Sequence, residues 1–409
     1  MPLLQLQKDL YAVMVRVERR KQCIRKDAHD LKGLLHHGRL PKEQTRGVKD
    51  LIDRVRLYEA SYAHLFDFLL AIGNGIAFTI FHTYDLKQLN LRESAGGIGG
   101  KAGRRREFLV LARLLRRGCP AVLCDITSAL RYGDILAWGH EGQPHPIEVK
   151  SSANRNARVA RQEEAVEWIT GFLKEGCDLG ESMGRVTRKV PELPTRTHVA
   201  KLNRLIARAM KGTPQLEEVE PDVFYDVSCG DHVRTLDDIV ERFKWPYAEF
   251  LNRHKHNENW SSYIPYTLTI QNPTHCLAFA EGQLLITVIF DFHRAVAIAE
   301  RFGFTVARTA PEDVRKQIAE HPEWAPLESQ FAFWIVPRPT TPTRVQSLGI
   351  GHHFFGRLFF EFMSLEWMIE DRCRAMLKRG PLAISAHGCQ CHASESPPAW
   401  PARKGGTEG

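Results

Sequence analysis

Asp134, Glu148 and Lys150 have the types and spacing for metal-assisted hydrolysis of a phosphodiester. They sit in the stretches Tyr-Gly-Asp-Ile-Leu-Ala-Trp (132–138) and Pro-Ile-Glu-Val-Lys-Ser-Ser (146–152). Such a reaction needs a nucleophilic water, neutralisation of charge gathering at phosphorus, and help for the leaving oxygen. One divalent ion can serve all three needs, and Mg²⁺ prefers hard oxygen ligands while keeping several waters. Asp134 and Glu148 would supply two carboxylates, and the backbone carbonyl of Val149 a third oxygen. Lys150 would orient or deprotonate the attacking water. Mn²⁺ is the expected substitute for Mg²⁺.

Hydrophobic patterning indicates which elements must hold these groups. Around Glu148 the chain reads as a strand, whose alternation sets Glu148 and Lys150 on one side and Val149 on the other. Asp134 belongs to the preceding apolar strand, and Gly139 to Pro144 read as the loop of a hairpin. Upstream, Phe108, Leu111, Ala112 and Leu115 give a helix over 104–117 that Gly118 ends, and Ala121 to Cys124 form a first strand. Downstream, Val159, Val166, Ile169 and Leu173 mark a second helix over 157–174. The competing reading makes Glu148 and Lys150 an exposed ion pair and Asp134 a turn residue favoured after glycine.

Gly133-Asp134 followed by Glu148-Val149-Lys150, framed by helix, strands and helix, resembles the PD-(D/E)XK nuclease superfamily over roughly residues 100–175. The resemblance implies a restriction endonuclease-like α-β-β-β-α core, with Asp134 and Glu148 on Mg²⁺ and Lys150 in catalysis. It further implies that Glu107 on the first helix completes the metal site and that Gln162, beside Arg161 on the second helix, assists; the plain reading of Glu107 is a salt bridge near the helix start with the preceding Arg104, Arg105 and Arg106. Gly133 stands where the proline that names the motif would be. DNA rather than RNA is the substrate that the resemblance implies, and defence against foreign DNA would suit such a chain. The alternative is a catalytically inactive nuclease fold kept as a nucleic-acid or protein-binding subunit.

Other clusters carry less. Gly96 to Gly103 fails as a Walker loop because Ala102 follows Lys101. As a dinucleotide fingerprint it lacks a buried strand before it. His254-x-His256, the adjacent His352 and His353, and Cys389-x-Cys391-His392 with His387 read as surface, packing or tail residues. Lys201, Arg204, Arg208 and Lys211 form a basic stripe on a short helix, Val199 to Met210, whose plain reading is a solvated face.

The chain of 409 residues is expected to be α/β, with five parts. A helical hairpin arm occupies 1–85, with apolar positions at helical spacing from Leu10 to Ile72 and a break at Gly38 to Pro41. The nuclease-like core spans 86–180, and a linker with the short basic helix covers 181–221. A mixed α/β domain fills 222–380, with strands at 266–270 and 284–290 and helices at 292–302 and 353–377. The tail, 381–409, is Gly-, Ser- and Pro-rich and reads as disordered. A net charge of +8 fits a polyanionic partner. Nine scattered cysteines suggest free thiols and a cytoplasmic setting. The apolar run Phe66 to Phe81 is short and interrupted for a membrane span, and no signal peptide is read at the start. A homodimer through the N-terminal helices would pair two sites.

Overall fold

The computed structural model describes residues 1–38, 40–81, 98, 103–130, 132–139, 144–149, 166–167, 169–171, 177–178, 185–186, 193–230, 241–254, 266–320, 331–339 and 347–379. The chain is a mixed α/β protein with antiparallel sheets, and it divides into two compact units. One comprises 1–175 with 254–268; the other comprises 176–253 with 269–409.

The first unit begins with α1 (Pro2–His37) and α2 (Lys42–Ile80), an antiparallel pair. The buried positions of α1, Leu10, Met14, Val17, Ile24 and Ala28, recur at the spacing of one helical face. α3 (Arg104–Arg116) follows, then β1 (Ala121–Leu123), a 3-10 turn (Cys124–Ile126), β2 (Ile135–Trp138) and β3 (Pro144–Ile147). The three strands form an antiparallel meander in the order β1-β2-β3.

The helical pair is not a free-standing arm but part of this unit's core. Gln7, fully buried on α1, donates from Nε2 to Ala121 O at 3.0 Å and accepts from Leu123 N at 2.8 Å. Its amide thus takes the place of a neighbouring strand along the open edge of β1, satisfying groups that burial would otherwise leave unpaired. α2 runs past the expected end at Ile72 because Gly73-Asn74-Gly75 lie inside the core. A Cβ at Gly73 would come within 1.7 Å of Ile126 O. Asn74 holds the loop after the 3-10 turn, donating to Ser128 Oγ at 2.8 Å and accepting from Ser128 N at 2.9 Å and Ala129 N at 3.1 Å. By length and composition α2 is apolar enough to cross a bilayer, and its Leu69, Ile76 and Ala77 are buried in this unit.

The second unit holds a short ribbon, β4 (Cys177–Asp178) with β5 (Arg185–Val186), then α4 (Val199–Ala209), β6 (Gln215–Glu220), β7 (Val223–Cys229) and β8 (Pro246–Phe250). Next in the chain come α5 (Tyr266–Thr269), of which only Thr269 belongs to this unit, then α6 (Pro273–Ala280), β9 (Leu284–Asp291), α7 (Phe292–Glu300), β10 (Phe304–Ala307) and α8 (Glu312–Glu320). β11 (Phe331–Pro337), β12 (Leu348–Gly351), α9 (His352–Phe360) and α10 (Leu365–Arg379) complete it. One sheet runs β6-β7-β9-β8 and another β10-β11-β12. Phe292 and Phe355 bring the sheets into one core: each contacts Phe290 of the first sheet and Phe333 of the second, with ring centroids 5.0 to 5.9 Å apart.

Three sequence expectations are corrected here. Residues 193–221 are not a linker: α4 buries Leu202, Leu205, Ile206 and Ala209 against β6 and β7, because its apolar stripe needs a sheet to cover it. Tyr266 to Thr269 is helical rather than a strand. Its end is held by Asn203, which donates to Thr269 O at 2.7 Å and accepts from Gln271 N at 2.9 Å. The helix expected over 353–377 is two helices. Phe362 takes a left-handed φ of 52° between them, and Ser364 restarts the second by accepting from Trp367 N at 3.1 Å. Cys23, Cys119, Cys124, Cys229, Cys276 and Cys373 carry free thiols.

Candidate functional site

The end of the small sheet where β1 finishes, β2 starts and β3 finishes carries Asp125, Asp134 and Glu148. β2 and β3 pair with Ile135 opposite Ile147, with Asp134 directly before β2 and Glu148 directly after β3, so both stand at this end of the sheet. Asp134 is pinned on both flanks by the backbone: its N–H donates to Ile147 O at 2.9 Å and its carbonyl accepts from Cys124 N at 2.9 Å. Its Oδ2 accepts from Val149 N at 2.8 Å.

Gly133 makes this approach feasible. Its φ of 75° lies in the left-handed region, and a Cβ there would meet Ile147 O at 2.9 Å. Proline is locked near φ −65° and could not adopt this conformation. The glycine at this position thus has a steric cause.

The hairpin differs in detail from the sequence reading. Pro144 pairs with Trp138 and belongs to β3 rather than to the loop, so the strand ends at Ile147. Glu148 and Val149 lie just beyond it, half-buried, and not within a regular strand. Strand alternation therefore does not govern the side on which they face. Lys150 and Gln162 lie outside the described residues, as do the glycine cluster apart from Ile98 and Gly103, most of the second helix, His256, and the tail with His387, Cys389, Cys391 and His392.

Glu107 is buried on the inner face of α3, at 4% exposure. Its Oε2 lies 3.3 Å from Arg104 Nε, and Arg104 Nη2 bonds Asp125 Oδ2 at 2.9 Å on the 3-10 turn after β1. The guanidinium stacks on the ring of Tyr11, 3.7 Å from its centroid, and Nη2 reaches Ile98 O at 3.3 Å. Tyr11 donates its hydroxyl to the same carbonyl at 2.8 Å, and Glu18 accepts from Ile98 N at 3.0 Å. Burial pushes the Tyr11 phenol above its ordinary value; Arg104 opposes that shift, while Asp125, Glu107 and Glu18 add to it. One arginine thus offsets two buried carboxylates, an arrangement in which removal of either partner is costly.

Among the described residues, no three His, Cys, Asp or Glu side chains gather into a group able to hold a metal ion, so Glu107 does not join Asp134 and Glu148 in one set. As a donor set, the carboxylates of Asp134 and Glu148 with the backbone carbonyl of Val149 have the hard-oxygen chemistry that suits a cation keeping part of its water shell. Glu107 fits less well, because its carboxylate is engaged by Arg104.

Sequence reading missed Asp125, Gln7 and Asn74. Gln7 had a signal, a polar residue in register with Leu10 and Met14 on the apolar face. Asp125 had a fainter one, a lone acid between Cys124 and Ile126 directly after a strand. No family model, curated protein or solved structure matches this chain.

Proposed function

We propose that this chain is a Mg²⁺-dependent nuclease that hydrolyses phosphodiester bonds in DNA, built on a restriction endonuclease-like α-β-β-β-α core. The observation that supports the reading is that Asp134, directly before β2, and Glu148, directly after β3, lie at the same end of a three-stranded antiparallel sheet that follows a helix, where Val149 N donates to Asp134 Oδ2 at 2.8 Å. Asp134, Glu148 and the carbonyl of Val149 would hold the ion. When bound, Mg²⁺ supplies charge neutralisation and a more acidic water. Lys150 would orient or deprotonate the attacking water, and Gln162 would assist.

The test is incubation of the full chain with supercoiled, linear and single-stranded DNA and with RNA, in Mg²⁺, Mn²⁺ or EDTA. Cleavage that needs the divalent ion and disappears in Glu148→Gln and Lys150→Ala supports the assignment. Cleavage that survives both substitutions places the chemistry elsewhere.

A second reading, a nuclease fold retained only for binding, draws on the Glu107–Arg104 ion pair, which engages the acid that relatives of this architecture would use to complete a metal site. Calorimetric titration separates the two readings. Mg²⁺ or Mn²⁺ binding that is lost in Glu148→Gln favours the enzyme, and absence of such binding favours the scaffold.

A further inference from the structure

We propose that the outward face of α3 is a phosphate track, and that its occupant is duplex DNA; the choice of polyanion rests on the nuclease reading above. Arg105, Arg106, Arg113, Arg116 and Arg117 are all exposed, and so is Leu109 among them. At about 100° per residue these six positions fall within an arc of about 120° on the helix. The other side buries Glu107, Leu111 and Ala112.

A solvated helix face ordinarily mixes signs, with acids set three or four residues from bases. Here the helix has one acid, Glu107, which is turned inward and held by Arg104. Among the described residues no carboxylate pairs with Arg105, Arg113, Arg116 or Arg117. Arg113 stands three and four positions before Arg116 and Arg117, spacings at which like charges destabilise a helix. The C-terminal dipole accounts for cations in the last turn, but Arg105 lies in the first turn, where the dipole disfavours it. An external polyanion resolves both conflicts, and the planar guanidinium matches phosphate geometry better than an ammonium does.

The ridge is also well placed. Arg104 meets Asp125 at the acidic end of the sheet, so α3 begins there and runs away from it. From Arg105 to Arg117 the track is about 18 Å long at 1.5 Å per residue. That is the length of about five base pairs of duplex. DNA lying along it would reach the acidic end from one side.

Binding of a short mixed-sequence duplex to the full chain in EDTA, followed by anisotropy across a salt series, tests the proposal. Each phosphate contact contributes about 0.9 to the slope of log Kobs against log salt. The combined Arg105→Gln, Arg113→Gln, Arg116→Gln and Arg117→Gln variant is expected to lower that slope by about three to four, and the matching set of lysine substitutions to retain it. Arg113→Gln alone should lower it by about one, which covers the case of a combined variant that fails to fold. An unchanged slope in variants whose circular dichroism matches the wild type overturns the track. Tighter binding to anionic vesicles or polyglutamate than to duplex overturns its occupant. If the ridge binds DNA but the wild type cuts nothing in Mg²⁺, the track stands and the nuclease reading fails. Cleavage with an unchanged slope does the reverse.

Discussion

The carboxylate of Asp134 accepts a hydrogen bond from the backbone N–H of Val149 at 2.8 Å, so the residue that opens β2 also fastens the segment following β3. This gives Asp134 a structural role beside its proposed role on the metal, and two substitutions separate them. Asp134→Asn keeps an acceptor for Val149 N–H and removes the charge, whereas Asp134→Ala removes both. The asparagine variant is expected to hold stability within about 0.5 kcal/mol, and the alanine variant to lose about 1–3 kcal/mol, measured by urea denaturation. Both should lose cleavage by at least about a hundredfold. Wild-type cleavage rates in the asparagine variant would remove Asp134 from the chemistry.

Gly133→Ala is expected to destabilise the first unit by about 1–3 kcal/mol, since alanine at φ 75° is strained and its Cβ would press on Ile147 O at 2.9 Å. Gly118, also at positive φ but with nothing near an added Cβ, serves as the control and should cost less. Equal melting shifts for the two alanine variants would contradict the close approach of Gly133 to β3.

Gln7→Leu leaves Ala121 O and Leu123 N without their partner at the edge of β1. A loss of about 2–4 kcal/mol is expected, with exchange protection falling first at Leu123 N–H. The same experiment distinguishes an integral helical pair from an assembly arm. An arm would change mass by light scattering and leave the exchange of β1 amides untouched.

Acid stability should depend on Glu220. Burial alone would push its carboxyl up. The hydrogen bonds from His198 and Ser364, the charge of His198 and the Leu365 N–H together pull it below its ordinary value of 4.5. The unfolded chain therefore binds a proton at Glu220 more readily than the folded chain does. Its contribution is present above pH 4.5 and is lost as pH falls through the lower folded value. Denaturation midpoints taken downward from neutral pH should fall for the wild type across that window, and less steeply for Glu220→Gln. The variant should already be about 1–3 kcal/mol weaker at neutral pH. Parallel curves would remove Glu220 from the acid response.

Local sequence determined the elements whose apolar residues recur with a clear period. These are the two long helices with their break before Lys42, the helix over 104–116, the strands around Val122, Ile135 and Ile147, and β9 followed by α7. Each buries a stripe that is visible in one dimension, because neighbours at three or four residues, or at two, must share a face. That one hairpin carries both Asp134 and Glu148 was legible for the same reason.

What only the tertiary structure decided involves polar groups whose partners are distant in sequence. Gln7 and Ala121 are 114 residues apart, and Asn74 and Ser128 are 54 apart. Glu107 reads in sequence either as a metal ligand or as the partner of the arginines before it, and its burial beside Arg104 decides for the ion pair. A polar side chain takes whatever partner the fold brings within hydrogen-bond reach, and neither periodicity nor spacing encodes that partner.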